Sequence, residues 1–200
     1  MDTTKPTIIC LMGPTACGKT AVSSAIAKVL SCEIISVDSA LVYRGCDIGS
    51  AKPSVEEREA IPHWLVDICE PNEPFSAGDF CDYADEAIQV ILSKNKTPFL
   101  VGGTMLYFKR FLHGFAELPE SSLNVRSELE KKANAIGWQA MHDELRVHDP
   151  KAAARIHPND RQRILRALEV LQITSTPISQ LQADTQSNNA YRAINIIIEP

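Results

Sequence analysis

No apolar stretch in the 200-residue sequence approaches the roughly 18 residues needed to cross a bilayer, and Met1 to Pro6 hold no basic segment leading into one. A membrane span and a secretory leader are therefore not expected, and the chain is read as cytoplasmic with no membrane partner. The cysteines Cys10, Cys17, Cys32, Cys46, Cys69 and Cys81 never form a C-x-x-C pair. That excludes a zinc knuckle and argues against a disulfide framework. Most of these cysteines sit in or beside apolar runs, as buried thiols do in a reducing compartment. His63, His113, His142 and His148 show no metal-ligand spacing and are read as structural or surface residues. Internal repeats and low-complexity tracts are absent. So is a global excess of basic charge, since the net charge is −5.

What remains, 44% hydrophobic and 22% charged residues, is the composition of a soluble globular protein with a sizeable core. The length allows one ordinary domain, or a core with a smaller domain attached. Charge is divided unevenly: Arg155, Arg161, Arg163 and Arg166, with His157, face only Asp160 in the interval they span. An acidic protein thus carries one locally cationic segment that could hold phosphates.

The chain begins as strand, loop and helix. Thr7 to Met12 is an apolar run of the kind buried in a parallel sheet, Gly13 to Gly18 break it, and Ala21, Val22, Ala25, Ile26, Val29 and Leu30 recur at helical spacing. Further strands are expected at Glu33 to Asp38, Trp64 to Ile68 and Pro98 to Val101. A helix is expected after Ser76 and Asp79, with Phe80, Ala84, Ala87, Ile88, Ile91 and Leu92 on one face. Alternating strands and helices predict an α/β fold, a parallel sheet covered on both sides. From about 115 to 184 the pattern turns helical, at Glu128 to Ala133, Trp138 to Val147, Lys151 to Ile156 and Arg161 to Ile173, and Tyr191 to Ile198 reads as a strand again. The expected division is a core over 1–114, a helical insertion over 115–184 and a return to the core sheet over 185–200. Ending just after an apolar strand, the chain is expected to lack further elements.

The strongest chemical signal is Gly13-Pro14-Thr15-Ala16-Cys17-Gly18-Lys19-Thr20, a complete G-x-x-x-x-G-K-[ST] between a predicted strand and a predicted helix. Its backbone N–H groups can curl round an anion at a helix N-terminus, Lys19 can reach a terminal phosphate, and the Thr20 hydroxyl can ligate Mg²⁺. The plain alternative is a glycine-rich turn that caps a helix. Asp38 ends the second strand, where open α/β sheets border their ligand crevice, and could serve as a general base or a metal ligand. It could equally cap the next helix, with Ser39 helping.

The later apolar strand ends Gly102-Gly103-Thr104 with no acid, which disfavours motor-type hydrolysis. Those residues instead offer close backbone approach and a hydroxyl. Tyr43 to Pro53 reads as an exposed loop with Arg44 and Lys52 available for anions. Arg163 and Arg166, three apart, share a helix face that suits a nucleic-acid contact or a plain solvated surface.

Four segments in this order, Gly13 to Thr20, Asp38 to Pro53, Val101 to Tyr107, and Ala153 to Asp160 followed by Arg166 to Val170, together resemble the bacterial tRNA dimethylallyltransferases, or isopentenyl-tRNA transferases. The resemblance covers essentially the whole chain. It implies a three-layer P-loop NTPase-like fold, nucleotide-kinase-like in its core, whose helical insertion binds tRNA. The implied reaction moves a dimethylallyl group from dimethylallyl diphosphate to N6 of the adenosine 3′ of the anticodon, with Mg²⁺ present. By the match, Asp38 is the general base, Thr104 positions the reacting groups, and Lys19 with Gly13 to Thr20 holds the diphosphate, Thr20 meeting the metal. Contacts to the tRNA anticodon stem-loop fall on Asp38, Ser39, Ala40, Leu41, Thr104, Arg126, Gln162, Arg163, Ile164, Leu165 and Arg166. The target base must leave its stack to reach the donor.

A monomer is expected, and DNA is not an expected partner. Cys17, Cys46 and Ser50 stand where the family more often has Ser, Met and Thr, and none of these changes removes a reacting group. Family members are longer, in keeping with missing C-terminal elements. Two other readings fit the loop: a P-loop small-molecule kinase using ATP, and a non-catalytic RNA-binding nucleotide sensor.

Overall fold

The computed structural model describes residues 5–114, 116, 118–183 and 190–199. The chain divides into two compact units, Met1–Gly114 with Ser187–Pro200, and Phe115–Gln186. The boundaries expected at 115 and at 184–185 lie outside the described residues.

In the first unit the elements are β1 (Thr7–Met12), α1 (Lys19–Val29), β2 (Cys32–Val37), α2 (Val55–Ala60), β3 (His63–Trp64), α3 (Ala77–Ser93), β4 (Thr97–Gly102), α4 (Met105–His113) and, after the second unit, β5 (Arg192–Ile197). The sheet order is β3-β2-β4-β1-β5, with every pairing parallel. Because successive strand residues point to opposite faces, the apolar strands feed two cores. Ile8, Cys10, Ile35, Val37 and Leu100 meet α3 and α4, while Ile9, Leu11, Ile34 and Phe99 meet Ile26 and Ala27 of α1. These two packed faces make the α/β/α three-layer architecture. Gly102 sets how closely β4 lies against β2, for a Cβ there would come 2.0 Å from the Val37 carbonyl oxygen.

Two expectations are corrected here. The strand expected over Trp64 to Ile68 stops at Trp64, because Leu65 and Asp67 take left-handed backbone angles (φ 61° and 56°) that end extended pairing. The segment instead hydrogen-bonds to the chain after β2, through Asp67 N–H to Leu41 O and Ile68 N–H to Val42 O. The apolar stripe expected on α1 is only partly buried: Val22, Val29 and Leu30 are exposed, and Ser23 is the buried residue.

The second unit packs α5 (Leu123–Ile136), α6 (Trp138–His148), α7 (Pro150–Ala153), α8 (Arg161–Thr174) and α9 (Ile178–Ala183) round Leu129, Met141, Leu145, Ile164, Leu168 and Val170. The helix expected over Lys151 to Ile156 is this short α7, started by Asp149, whose carboxylate accepts from Ala152 N–H. No helix among the described residues is long and apolar enough to cross a membrane.

Candidate functional site

Three strand ends meet at the carboxyl edge of the sheet. After β1 the loop turns through Ala16 (φ 66°) and Gly18 (φ 87°), the second of which a glycine adopts without strain, and delivers Lys19 and Thr20 to the first turn of α1. Lys19 Nζ donates to the carbonyls of Gly13 (2.8 Å) and Pro14 (2.5 Å), so the ammonium lies against the loop that would hold an anion. Pro14, Thr15, Ala16, Gly18 and Thr20 are exposed, and Cys17 is half-buried.

Asp38 follows β2 directly. Its Oδ1 accepts from Ala40 N–H (2.8 Å) and Leu41 N–H (3.4 Å), which fixes the carboxylate against its own turn. Among the described residues nothing donates to Oδ2. Thr104 follows β4: its N–H donates to Val37 O at 3.2 Å, and its Oγ1 accepts from Ser39 N–H at 3.1 Å. The hydroxyl and the acid-bearing turn are thus tied together across 65 residues of sequence. Gly103 closes the triangle, because a Cβ there would lie 3.3 Å from Gly13 O and 3.8 Å from Lys19 Nζ. A hollow of about 400 Å³ opens beside the loop, lined chiefly by apolar surface from Met12, Pro14, Met105, Ile197 and Ile198.

The residues of this edge suit a metal held mostly by a ligand. No cluster of three or more His, Cys, Asp or Glu capable of holding an ion occurs among the described residues. Mg²⁺ commonly keeps its waters and takes one or two protein oxygens plus phosphate oxygens, a set the exposed Thr20 hydroxyl can join.

The loop over Tyr43 to Pro53 differs from expectation. Lys52 is 5% exposed, and its ammonium donates to Tyr43 O (2.9 Å), Asp47 Oδ1 (2.8 Å) and Asp67 Oδ1 (2.5 Å), so no proton is left for an anion. Burial pushes its pKa down, but the two carboxylates outweigh that and raise it. Arg58 Nη1 completes the Asp67 carboxylate at 2.8 Å. Arg44 is paired with Glu70 at 2.6 Å. Spacing could not foretell these partners, because Asp67 is brought to the loop by the left-handed turn after β3.

The helical unit holds the other residues matched to tRNA contact. Gln162 and Arg163 are exposed at the start of α8, Ile164 and Leu165 are buried in its core, and Arg126 and Arg166 both hydrogen-bond the Glu169 carboxylate. The sequence had placed Glu169 in a matching segment with no role. Burial alone would push its carboxyl up, but hydrogen bonds from Arg126, Arg166, Ser122 and Ser121 outweigh this and hold it at about 2.

Comparison with known proteins supplies the remaining findings. Residues 41–200 match the family described as IPP transferase. A tRNA dimethylallyltransferase from Coxiella burnetii is 50% identical over 196 residues, covering 98% of this chain and 63% of that protein. The crystal structure of tRNA delta(2)-isopentenylpyrophosphate transferase from Staphylococcus epidermidis is 38% identical with a TM-score of 0.59, covering 98% of this chain and 64% of that one. A eukaryotic dimethylallyltransferase acting on tRNA is 26% identical with a TM-score of 0.78, covering 96% and 48% respectively. The chain therefore spans less than two thirds of the length of these relatives.

Proposed function

Because the chain belongs to the IPP transferase family, we propose that it transfers a dimethylallyl group from dimethylallyl diphosphate to N6 of the adenosine 3′ of a tRNA anticodon, releasing diphosphate. The observation that carries this reading is the meeting of the loop, Asp38 and Thr104 at one sheet edge, held by the Ser39–Thr104 bond.

In the proposed reaction N6 attacks the first carbon of the dimethylallyl group, the bond from that carbon to the diphosphate oxygen breaks, and N6 loses a proton. Asp38 is positioned as the acceptor of that proton, with Oδ1 committed to Ala40 and Leu41 and Oδ2 open. The loop amides and Lys19 face the leaving diphosphate, whose growing charge they stabilise. To do so Lys19 exchanges the Gly13 and Pro14 carbonyls for phosphate oxygens. Thr20 is the residue that would hold Mg²⁺, which when bound neutralises charge on the diphosphate. Thr104 orders the Asp38 turn through Ser39 and presents its hydroxyl to the reacting groups. The apolar hollow beside the loop suits the five-carbon group, and the absence of an acid after β4 fits a site that activates no water.

The tRNA contacts proposed are Asp38 to Leu41 and Thr104 at the sheet edge, and Arg126 with Gln162 to Arg166 in the helical unit. Ile164 and Leu165, being buried, would contribute backbone and shape rather than side-chain contact. A cytoplasmic monomer acting on tRNA completes the proposal.

Mass spectrometry of an anticodon stem-loop RNA incubated with the protein, Mg²⁺ and dimethylallyl diphosphate tests it, with ATP in a parallel tube. A gain of one five-carbon unit on the adenosine beside the anticodon supports transfer. ATP consumption without that gain would favour a kinase.

A further inference from the structure

Glu169 sits in the middle of α8 with its side chain wholly enclosed, and no step above uses it. Its Oε1 accepts from Ser121 Oγ (2.9 Å), Ser122 N–H (2.8 Å) and Arg126 Nε (3.0 Å), and its Oε2 accepts from Arg126 Nη2 (3.2 Å) and Arg166 Nη1 (2.7 Å). Arg166 Nη2 donates further to Pro119 O at 2.6 Å. One buried carboxylate therefore fixes two guanidiniums and the chain entering α5. The arginine side chains are themselves 35% and 27% exposed, so the cluster presents a net positive charge to solvent. If packing were the only requirement, an apolar residue of similar volume would fill this core without desolvating a charge. What the carboxylate adds is a single arrangement for two otherwise flexible arginines, each with donors left over.

We propose that Glu169 is a positioning residue for RNA recognition, which holds Arg126 and Arg166 side by side as a preformed pair for neighbouring acceptor groups of the RNA. The pair is ordered before binding, so association does not bear the entropy of ordering it. The inference rests on the reading that Arg126 and Arg166 meet RNA.

The test is the Kd of an anticodon stem-loop RNA, measured across a salt series for the parent protein and Glu169→Gln, at a temperature where circular dichroism shows both folded. Glu169→Gln adds one net positive charge, so Coulomb attraction alone would tighten binding and steepen the salt slope. Positioning requires the opposite, a Kd raised about tenfold despite the added charge. Unchanged or tighter binding by the folded variant overturns the proposal.

A second comparison covers a variant that does not fold: Arg126→Gln with Arg166→Gln, against the triple variant that adds Glu169→Gln and leaves the cluster without charge. If Glu169 acts through the arginines, the triple variant binds RNA no more weakly than the double one, its one extra positive charge at most tightening binding slightly. A further loss in the triple variant overturns the proposal. Failure of the parent to bind RNA would overturn the functional reading and this inference with it, whereas parent binding with an unaffected Glu169→Gln overturns the inference alone.

Discussion

Strand β2 carries an acid at each end, and the fold treats them oppositely. Glu33, at the amino end, is 1% exposed, and its oxygens accept from Trp64 Nε1 (2.8 Å), Lys96 (2.9 Å) and Lys94 (3.2 Å), with the Lys94 ammonium also 5.2 Å from the centre of the Trp64 ring. Asp38, just past the carboxyl end, has one oxygen tied to its own turn and the other open. In a parallel sheet every strand points the same way, so loops and helix N-termini gather at the carboxyl edge and can meet an anion there. The opposite edge can then be closed by a satisfied ion cluster. Polar groups are saturated at one end, and at the other, where the reaction is proposed, acceptor capacity is left over.

Substituting both acids breaks or sharpens this contrast, and the largest effect is expected from Asp38→Ala. Loss of a general base lowers transfer roughly 10²- to 10⁴-fold. Tm should stay within a few degrees, since only turn contacts within the protein are lost, and the Kd for a stem-loop RNA should rise far less than transfer falls, Asp38 being one of several proposed contacts. Glu33→Gln should do the reverse, lowering Tm while leaving the transfer rate of the folded protein unchanged. Single-turnover kinetics and thermal melts on the two variants decide it. Retained transfer in Asp38→Ala would remove the proposed base.

Next in size is Gly102→Ala, which probes how the carboxyl edge is assembled. The added Cβ would meet backbone, the Val37 carbonyl oxygen, which cannot swing aside as a side chain would. The β2–β4 spacing must open, at a cost of about 3 kcal/mol, seen as a Tm lower by about 6 to 12 °C. Transfer should fall as well, because Thr104 N–H is bonded to that same Val37 oxygen. A melt unchanged from the parent would show that the strands are not held this closely.

A smaller effect separates the buried acids by pH. Glu169 is held at about 2 against an ordinary 4.5, and Glu33 is also lowered, its three cationic and indole partners outweighing burial. A carboxyl depressed in the folded state gives stability that is present above its unfolded pKa and is lost as pH falls through the folded value. For Glu169 that window runs from about 4.5 down to about 2, and the stability at stake is on the order of 3 kcal/mol. Urea melts at pH 6 and pH 3 should therefore differ less for Glu169→Gln than for the parent, the remainder coming from acids such as Glu33. An equal acid loss in both would assign the effect to other carboxyls.

Much of this was legible in the sequence because it rested on local pattern. Runs such as Thr7 to Met12 and Pro98 to Val101 mark buried parallel strands, and the loop from Gly13 to Thr20 is read from its spacing. The helix α2 was missed although Ser54 and Glu57 form the capping box that starts it, a signal present in the letters. Other features depend on contacts between distant segments. Lys52 was read as free because its partner Asp67 arrives from beyond a left-handed turn, and the strand expected over Trp64 to Ile68 failed for the same turn. The basic segment was read as a cationic helix face, suited to a nucleic-acid contact or a solvated surface. Arg166 is instead held by a carboxylate one turn on in its own helix, which also binds Arg126 from 43 residues earlier.

The smallest expected effect isolates burial as the quantity that separates structural ion pairs from surface ones. Lys52–Asp67 and Arg44–Glu70 are nearly equal in length, at 2.5 and 2.6 Å. Their side chains are 5% and 27% exposed in the first pair, against 55% and 50% in the second. An exposed pair is screened by water and loses side-chain freedom in forming, so its separation contributes little. Glu70→Gln should move Tm by about a degree or less, and by less still at high salt. Asp67→Asn should lower it by several degrees, because it leaves the buried Lys52 ammonium short of a charged partner and loosens the loop that follows Asp38. Thermal melts of the two variants in parallel make the comparison, and equal losses would mean that distance, not burial, sets the worth of these pairs.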